Sequence, residues 1–515
     1  MYGPSEEVTP DPNPGDVAGD SPLAFRIIRG GLWVALTQLW TIVFGFAANI
    51  ALTRLLSPQV FGTFALGMFF AQLLRVQPKL GLGYAFGRRS ETETKSVTTY
   101  ATLELIAAAL TPLLALLAVP VLLWLGYPRD VVRVCMALAL GFFLEGIVAI
   151  GMVLMDKKLA FSTVCLIQGI IFPFSYLPAF WLAANGGGAW SLVAQTVTFS
   201  ALSLVGIWVA VGKHYPRLRS ASWGFDARLA RELLRYGLTV GLGLAAAGLL
   251  TQLDNFLIGT FVSLTVLGFY DRAYRTAQWP TILFQGLLSR AAFMSYAKLK
   301  EDRPRLQKTL TMVLWLISFL ALPVVLAVFI AAPDLIALLY GPTWLPSTVF
   351  LRILVVFAVA APLFNNAGTL LVAVGRPEIS TRVSVLQVII LGAAGFPLTL
   401  LWGGIGTCVA VGLAFAVGLT IIYSYTIREL PIRLWAILGK PVLISLFVVI
   451  GYVAFDHMVE PSRVGSPALR VIAKFAYTVT SFYGLTFLLD WRATSERLAY
   501  VWRLMLGKHA GRADS

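Results

Sequence analysis

Arg29–Gly62 reads RGGLWVALTQLWTIVFGFAANIALTRLLSPQVFG, and Arg235–Gly268 reads RYGLTVGLGLAAAGLLTQLDNFLIGTFVSLTVLG. The two stretches align without gaps at an offset of 206 residues, with nine identities in 34 positions. The shared residues include Asn49 with Asn255, Ser57 with Ser263, Val60 with Val266 and Gly62 with Gly268. Several of these are not generic membrane residues. A repeated multi-helix unit lets one half of a protein rock against the other around a shared site, so the repeat points to a transporter. A polytopic enzyme has no comparable need of two equivalent halves.

The surroundings of the repeat are those of a membrane protein. Hydrophobic residues make up 58% of the chain and charged residues 13%, against about 25% charged in soluble domains. About fourteen apolar runs, from 31–53 to 469–490, are each long enough to cross a ~30 Å hydrocarbon core. Six spans separate the two copies, so both point the same way. The predicted fold is an all-α polytopic membrane protein of about 14 transmembrane helices. Two pseudo-symmetric six-helix lobes (26–212 and 236–426) flank a cytoplasmic amphipathic linker (213–235). Helices 13 and 14 (437–490) follow as an appendage, and disordered (1–25) and basic (491–515) cytoplasmic tails close the two ends.

The chain carries 40 Lys and Arg against 25 Asp and Glu, for a formal charge of +15. About 30 of these cations fall in loops on one side, which makes that side cytoplasmic and places both termini there. The excess is topological and implies no nucleic acid. Cys135, Cys165 and Cys408 lie inside apolar runs and read as packing residues, without metal or disulfide spacing. His214, His457 and His509 fall outside the spans, and no Gly-x-x-x-x-Gly-Lys-[Ser/Thr] loop is present. No metal, cofactor or catalytic residue is expected, and the chain does not read as an enzyme.

Charges inside the spans mark the candidate site, because each costs at least ~2.5 kcal/mol in hydrocarbon. The eighth span has the densest set, with Tyr270, Asp271, Arg272, Tyr274, Arg275 and Gln278. One reading is an arginine-lined cavity for a diphosphate, since guanidinium stays charged and presents a planar fork. The other is an internal ion-pair set, Asp254 with Arg272 and Asp271 with Arg275 at i,i+4. Arg75 in the second span, Arg290 and Arg352 near span ends, and the repeat-related Asn49 and Asn255 complete the candidate cavity. Asp254, Asp271 and Glu145 are candidates for ion pairing or ion coupling. Glu104 lies nearer the inner face and is expected to snorkel to it.

Four motifs carry a family resemblance: Leu55–Gly62 (LLSPQVFG), Leu253–Gly259 (LDNFLIG) with Leu267–Tyr270 and Ala273-Tyr274, Leu339–Trp344 (LYGPTW), and Ala373–Pro377 (AVGRP). Their combined spacing over about residues 25–430 resembles the polysaccharide-transporter branch of the multidrug/oligosaccharidyl-lipid/polysaccharide flippase superfamily. The resemblance implies a flippase in the bacterial cytoplasmic (inner) membrane. It would move undecaprenyl-diphosphate-linked oligosaccharides, among membrane lipids and alongside polymerase or export machinery, for capsule, exopolysaccharide or O-antigen. A peptidoglycan lipid-precursor flippase, a multidrug/cation antiporter of the same superfamily and, least of all, a membrane polysaccharide polymerase are the alternatives.

Overall fold

The computed structural model describes residues 22–89, 93–216, 223–459 and 466–505. The expected tails before residue 22 and after residue 505 lie outside the described residues. Among those described, every regular element is helical. In chain order they are α1 (Pro22–Leu55), α2 (Pro58–Leu74), a 3-10 turn (Gln77–Leu80), α3 (Leu82–Gly87), α4 (Thr94–Trp124), α5 (Arg129–Lys157), α6 (Phe161–Ala184) and α7 (Ala189–His214). Then come α8 (Ala227–Leu250), α9 (Leu253–Phe261), α10 (Leu264–Leu299), α11 (Arg303–Leu339), a second 3-10 turn (Pro342–Trp344), α12 (Ser347–Ala358), α13 (Ala360–Ala373), α14 (Pro377–Glu429), α15 (Leu434–Val459) and α16 (Pro467–Met505).

Eleven helical stretches among the described residues are long and apolar enough to cross a membrane, or twelve when the bent α8 counts as one span. This differs from the expected fourteen at two places. The 53 residues of α14 would reach ~80 Å if straight. Instead the chain turns at Gly403 (φ 58°, ψ −140°), a conformation that suits glycine. The two arms then meet so closely that a Cβ on Gly406 would lie 1.8 Å from the Leu398 carbonyl oxygen. The second place is α10, whose 36 residues include Asp271, Arg272 and Arg275. Its charge, not its length, keeps it from reading as apolar.

The described chain falls into two compact units. One comprises 22–49, 74–120 and 136–241, the other 50–73, 121–135 and 242–505. In the first, Phe86 and Tyr100 stack at 4.4 Å beside buried Ile150, Leu154 and Ile207. Pro78 lacks an N–H, and the chain after α2 breaks into the 3-10 turn there. Glycines of α8 receive this turn: a Cβ on Gly241 would lie 1.8 Å from the carbonyl oxygen of Lys79. The helical part of the expected linker opens α8 at Ala227, and α8 bends by 41° between Leu238 and Gly243. Asp226 caps its start, accepting from the N–H groups of Leu229 (3.1 Å) and Arg228 (2.9 Å). These bonds, Leu229's foremost, hold its carboxyl below the usual range.

In the second unit the repeat explains itself. Ser263 caps α10 by accepting from the Val266 N–H at 3.2 Å, and its counterpart Ser57 precedes α2. A Cβ on Gly62 would fall 1.7 Å from the carbonyl oxygen of Leu264, and one on Gly268 would fall 1.8 Å from that of Pro58. Pro58 and Leu264 are themselves repeat-equivalent, so α2 and α10 cross symmetrically, each glycine seating the other's first turn. Further along, Leu310, Leu314, Trp315, Leu370, Val383 and Ile422 form one core. Helices α15 and α16 dock on α11 through Leu326, Ile444, Val448 and Phe482, and Asp334 of α11 holds Arg470 at 2.7 Å and Lys474 at 2.6 Å. Leu117, Trp181, Leu401, Trp402 and Leu488 are exposed, as a lipid-facing surface requires.

Candidate functional site

The densest polar constellation is built by α9 and α10, with α1, α2 and α11 supplying its walls. Asp271 is its centre. Arg272 donates to it twice, through Nε at 3.1 Å and Nη2 at 2.6 Å. Arg275, one turn on, donates through Nε to both carboxylate oxygens, at 3.0 and 3.1 Å. The two arginines differ in freedom. Arg272 is buried, lies 4.2 Å over the Phe61 ring and reaches the Thr53 hydroxyl at 3.5 Å. Arg275 is half exposed, with 51% of its side chain accessible, while Asp271 is sealed at 6%. One carboxylate thus neutralises one guanidinium fully and only tethers the other.

Two of the four sequence motifs converge on this centre. Trp344 is buried, donates its indole N–H to the carbonyl of Thr53 at 3.0 Å and meets Phe61 edge-on at 5.5 Å. Thr276 bonds the Tyr340 hydroxyl at 2.9 Å. Arg54 donates to the carbonyl of Leu339 at 2.9 Å and also to that of Leu338, capping the end of α11. Leu55–Gly62 and Leu339–Trp344 therefore serve to seat Arg272.

The expected Asp254–Arg272 pair does not form. Asp254 accepts instead from the Tyr270 hydroxyl at 2.6 Å and from the Asn255 N–H at 2.8 Å, while Arg272 turns to its neighbour Asp271. The Asp271–Arg275 pair does form. Asn255 bonds Gln252 at 2.9 Å, whereas Asn49 donates both to the Gly45 carbonyl at 2.8 Å and to the Tyr176 hydroxyl of α6 at 3.4 Å. Arg352 is exposed, with the Phe329 ring 5.8 Å away. The Arg290 side chain lies outside the described residues.

The first unit holds a separate cluster. Arg75 pairs with Glu145 at 3.2 Å, donates to Gln77 at 3.3 Å and lies 4.5 Å over Phe142. Glu104 does not snorkel. It is fully buried, and neither carboxylate oxygen has a hydrogen-bond partner. The polar groups facing it are Tyr100, Gln77 and Arg75. The inward placement follows from the α4 register, which carries Glu104 onto the face of buried Tyr100, Ala101 and Ala108.

Sequence reasoning missed a neutral cavity of about 310 Å³ within the second unit, lined by Tyr274, Gln278, Asn365, Ser384, Gln387 and Phe415 among others. The signal was present, since Asn365-Asn366 interrupts an apolar run as visibly as a charge does.

The family model described as polysaccharide biosynthesis protein matches residues 51–349, more than half of the chain. The lipopolysaccharide biosynthesis protein WzxC of Escherichia coli (strain K12) is 21% identical, over 76% of this chain and 78% of its own. The succinoglycan biosynthesis transport protein ExoT of Rhizobium meliloti (strain 1021) is 25% identical, over 62% of this chain and 64% of its own. A solved structure of the lipid II flippase MurJ in an inward closed conformation shares the fold, with a TM-score of 0.71 at 13% identity, over 89% of this chain and 98% of that one. With more than half of its length matched by that family model, the chain belongs to the polysaccharide biosynthesis protein family.

Proposed function

We propose that this protein flips undecaprenyl-diphosphate-linked oligosaccharides from the inner to the outer leaflet of the bacterial cytoplasmic membrane, for capsule, exopolysaccharide or O-antigen. Both termini lie in the cytoplasm, and it works as a transporter, not as an enzyme. One observation carries this reading: a half-exposed Arg275 tethered to a sealed carboxylate that Arg272 already satisfies. A diphosphate reaching Arg275 displaces it from Asp271 and takes its planar donor fork. Asp271 keeps the bonds from Arg272, so the exchange strands no buried charge. The fold supplies the movement, as repeated halves alternate access to a site between leaflets. Sequestering the diphosphate leaves the polyprenyl tail in lipid.

The test is flipping in proteoliposomes, with a fluorescent undecaprenyl-diphosphate saccharide and a membrane-impermeant quencher. Wild-type protein should equilibrate the probe between leaflets. Arg275→Gln should reduce the rate about 100-fold, as losing a charge-assisted bidentate contact implies, and Arg275→Lys should recover part of it. An Arg275→Gln protein that flips at the wild-type rate would remove this residue from the mechanism. Equal flipping of lipid II would favour the peptidoglycan-precursor alternative.

A further inference from the structure

The neutral cavity in the second unit begins where the arginine cluster ends. Tyr274 lines it and is the neighbour of Arg275; Gln278, on the same helix, lies three residues beyond Arg275. At 1.5 Å per residue that is about 4.5 Å along α10, close to the step from a phosphate to the sugar ring it carries. The lining combines aromatic faces (Tyr274, Phe357, Phe364, Phe415) with neutral amides (Gln278, Asn365, Gln387), and none of the described lining residues is charged. Asn365 is exposed and Tyr274 half-buried. A lipid tail has no use for amides, and an ion has little use for four aromatic rings. A sugar ring uses both, through its hydroxyl groups and its C–H faces. The volume, about 310 Å³, lies at the lower end of small-molecule sites, which start near ~300 Å³.

We infer that this cavity is a neutral-sugar subsite, taking the ring next to the diphosphate while Arg275 takes the diphosphate itself. This rests on the flippase reading and adds to it a reason why the glycan, not only the lipid, is recognised. The lack of lining charge favours hexoses and N-acetylhexosamines over uronic acids at this position, because a carboxylate here would lack a counter-charge.

Full-length protein in nanodiscs is titrated, by native mass spectrometry, with undecaprenyl diphosphate and with the same lipid carrying glucose, galactose or N-acetylglucosamine. Wild-type protein should prefer at least one glycosylated lipid by about tenfold or more. Gln278→Leu with Asn365→Leu should bring that ratio to about one and leave the affinity for bare undecaprenyl diphosphate unchanged. Arg275→Gln should weaken all four lipids alike. If the amide double variant loses monodispersity, Phe364→Leu, which removes a ring face and keeps an apolar side chain, reads the same ratio. Equal wild-type affinity for bare and glycosylated lipids, or a preference that survives both variants, overturns the sugar subsite alone. Binding of none of the lipids overturns the flippase reading and this inference with it.

Discussion

Two arginines three residues apart on α10 should answer substitution in opposite ways. Arg272→Gln removes a buried partner from Asp271 and should cost about 3–5 kcal/mol, read as a lower Tm in detergent. Adding Asp271→Asn should recover part of that loss, in a cycle that additive effects would refute. Arg275→Gln should leave the melt within a few degrees and act on transport alone. Glu104 provides a third case. Its carboxylate is buried and neither oxygen accepts a hydrogen bond, so the neutral isostere Glu104→Gln should melt no lower than wild type; a Tm several degrees lower would mean that Tyr100, Gln77 or Arg75 holds the carboxylate in the folded protein. The spacing of Asp271 and Arg275 was enough to foresee their contact, as i,i+4 residues share a face. The Asp271–Arg272 contact was not legible, because adjacent helical residues point away from each other and only a long guanidinium reaches back.

Among the elements, the crossing of α2 and α10 is the least forgiving. Gly62→Ala and Gly268→Ala each drive a methyl into a carbonyl oxygen, at 1.7 and 1.8 Å. Either should lower Tm or expression sharply. The double variant should lose less than the sum, since both report on one crossing; single variants that melt like wild type would show that the helices do not meet there. Asp334→Asn removes the carboxylate charge that Arg470 and Lys474 share. It should loosen α16, seen as faster labelling of a cysteine placed on its inward face, and unchanged labelling would show that apolar docking alone holds that helix. Of these elements the α14 hairpin was plain in the sequence, from Gly403-Gly404 between two apolar runs. The division of the seventh span into α8 and α9 was not, because Thr251-Gln252 carries no proline or glycine to announce it.

At the scale of the whole molecule, the repeat was visible because its identities fall where geometry is strict: a helix cap, an amide and a crossing glycine. The neutral cavity was harder to read because five separate helices contribute its walls, and Asn365-Asn366 marks only one of them. One feature of the cluster on α10 bears on energy supply. Asp271, Arg272 and Arg275 together leave one positive charge in excess, anchored to the protein. On the proposed reading the anion travels outward and this cation does not travel with it, so each cycle performs electrical work. A bacterial membrane is negative inside, and a charge crossing 100 mV gains about 2.3 kcal/mol. An interior-negative potassium diffusion potential should therefore speed outward flipping without any proton or sodium gradient. Insensitivity to that voltage would mean that a compensating cation moves with the lipid. If the voltage does act, the cell's resting potential alone would tilt the distribution of its glycan precursors toward the outer face.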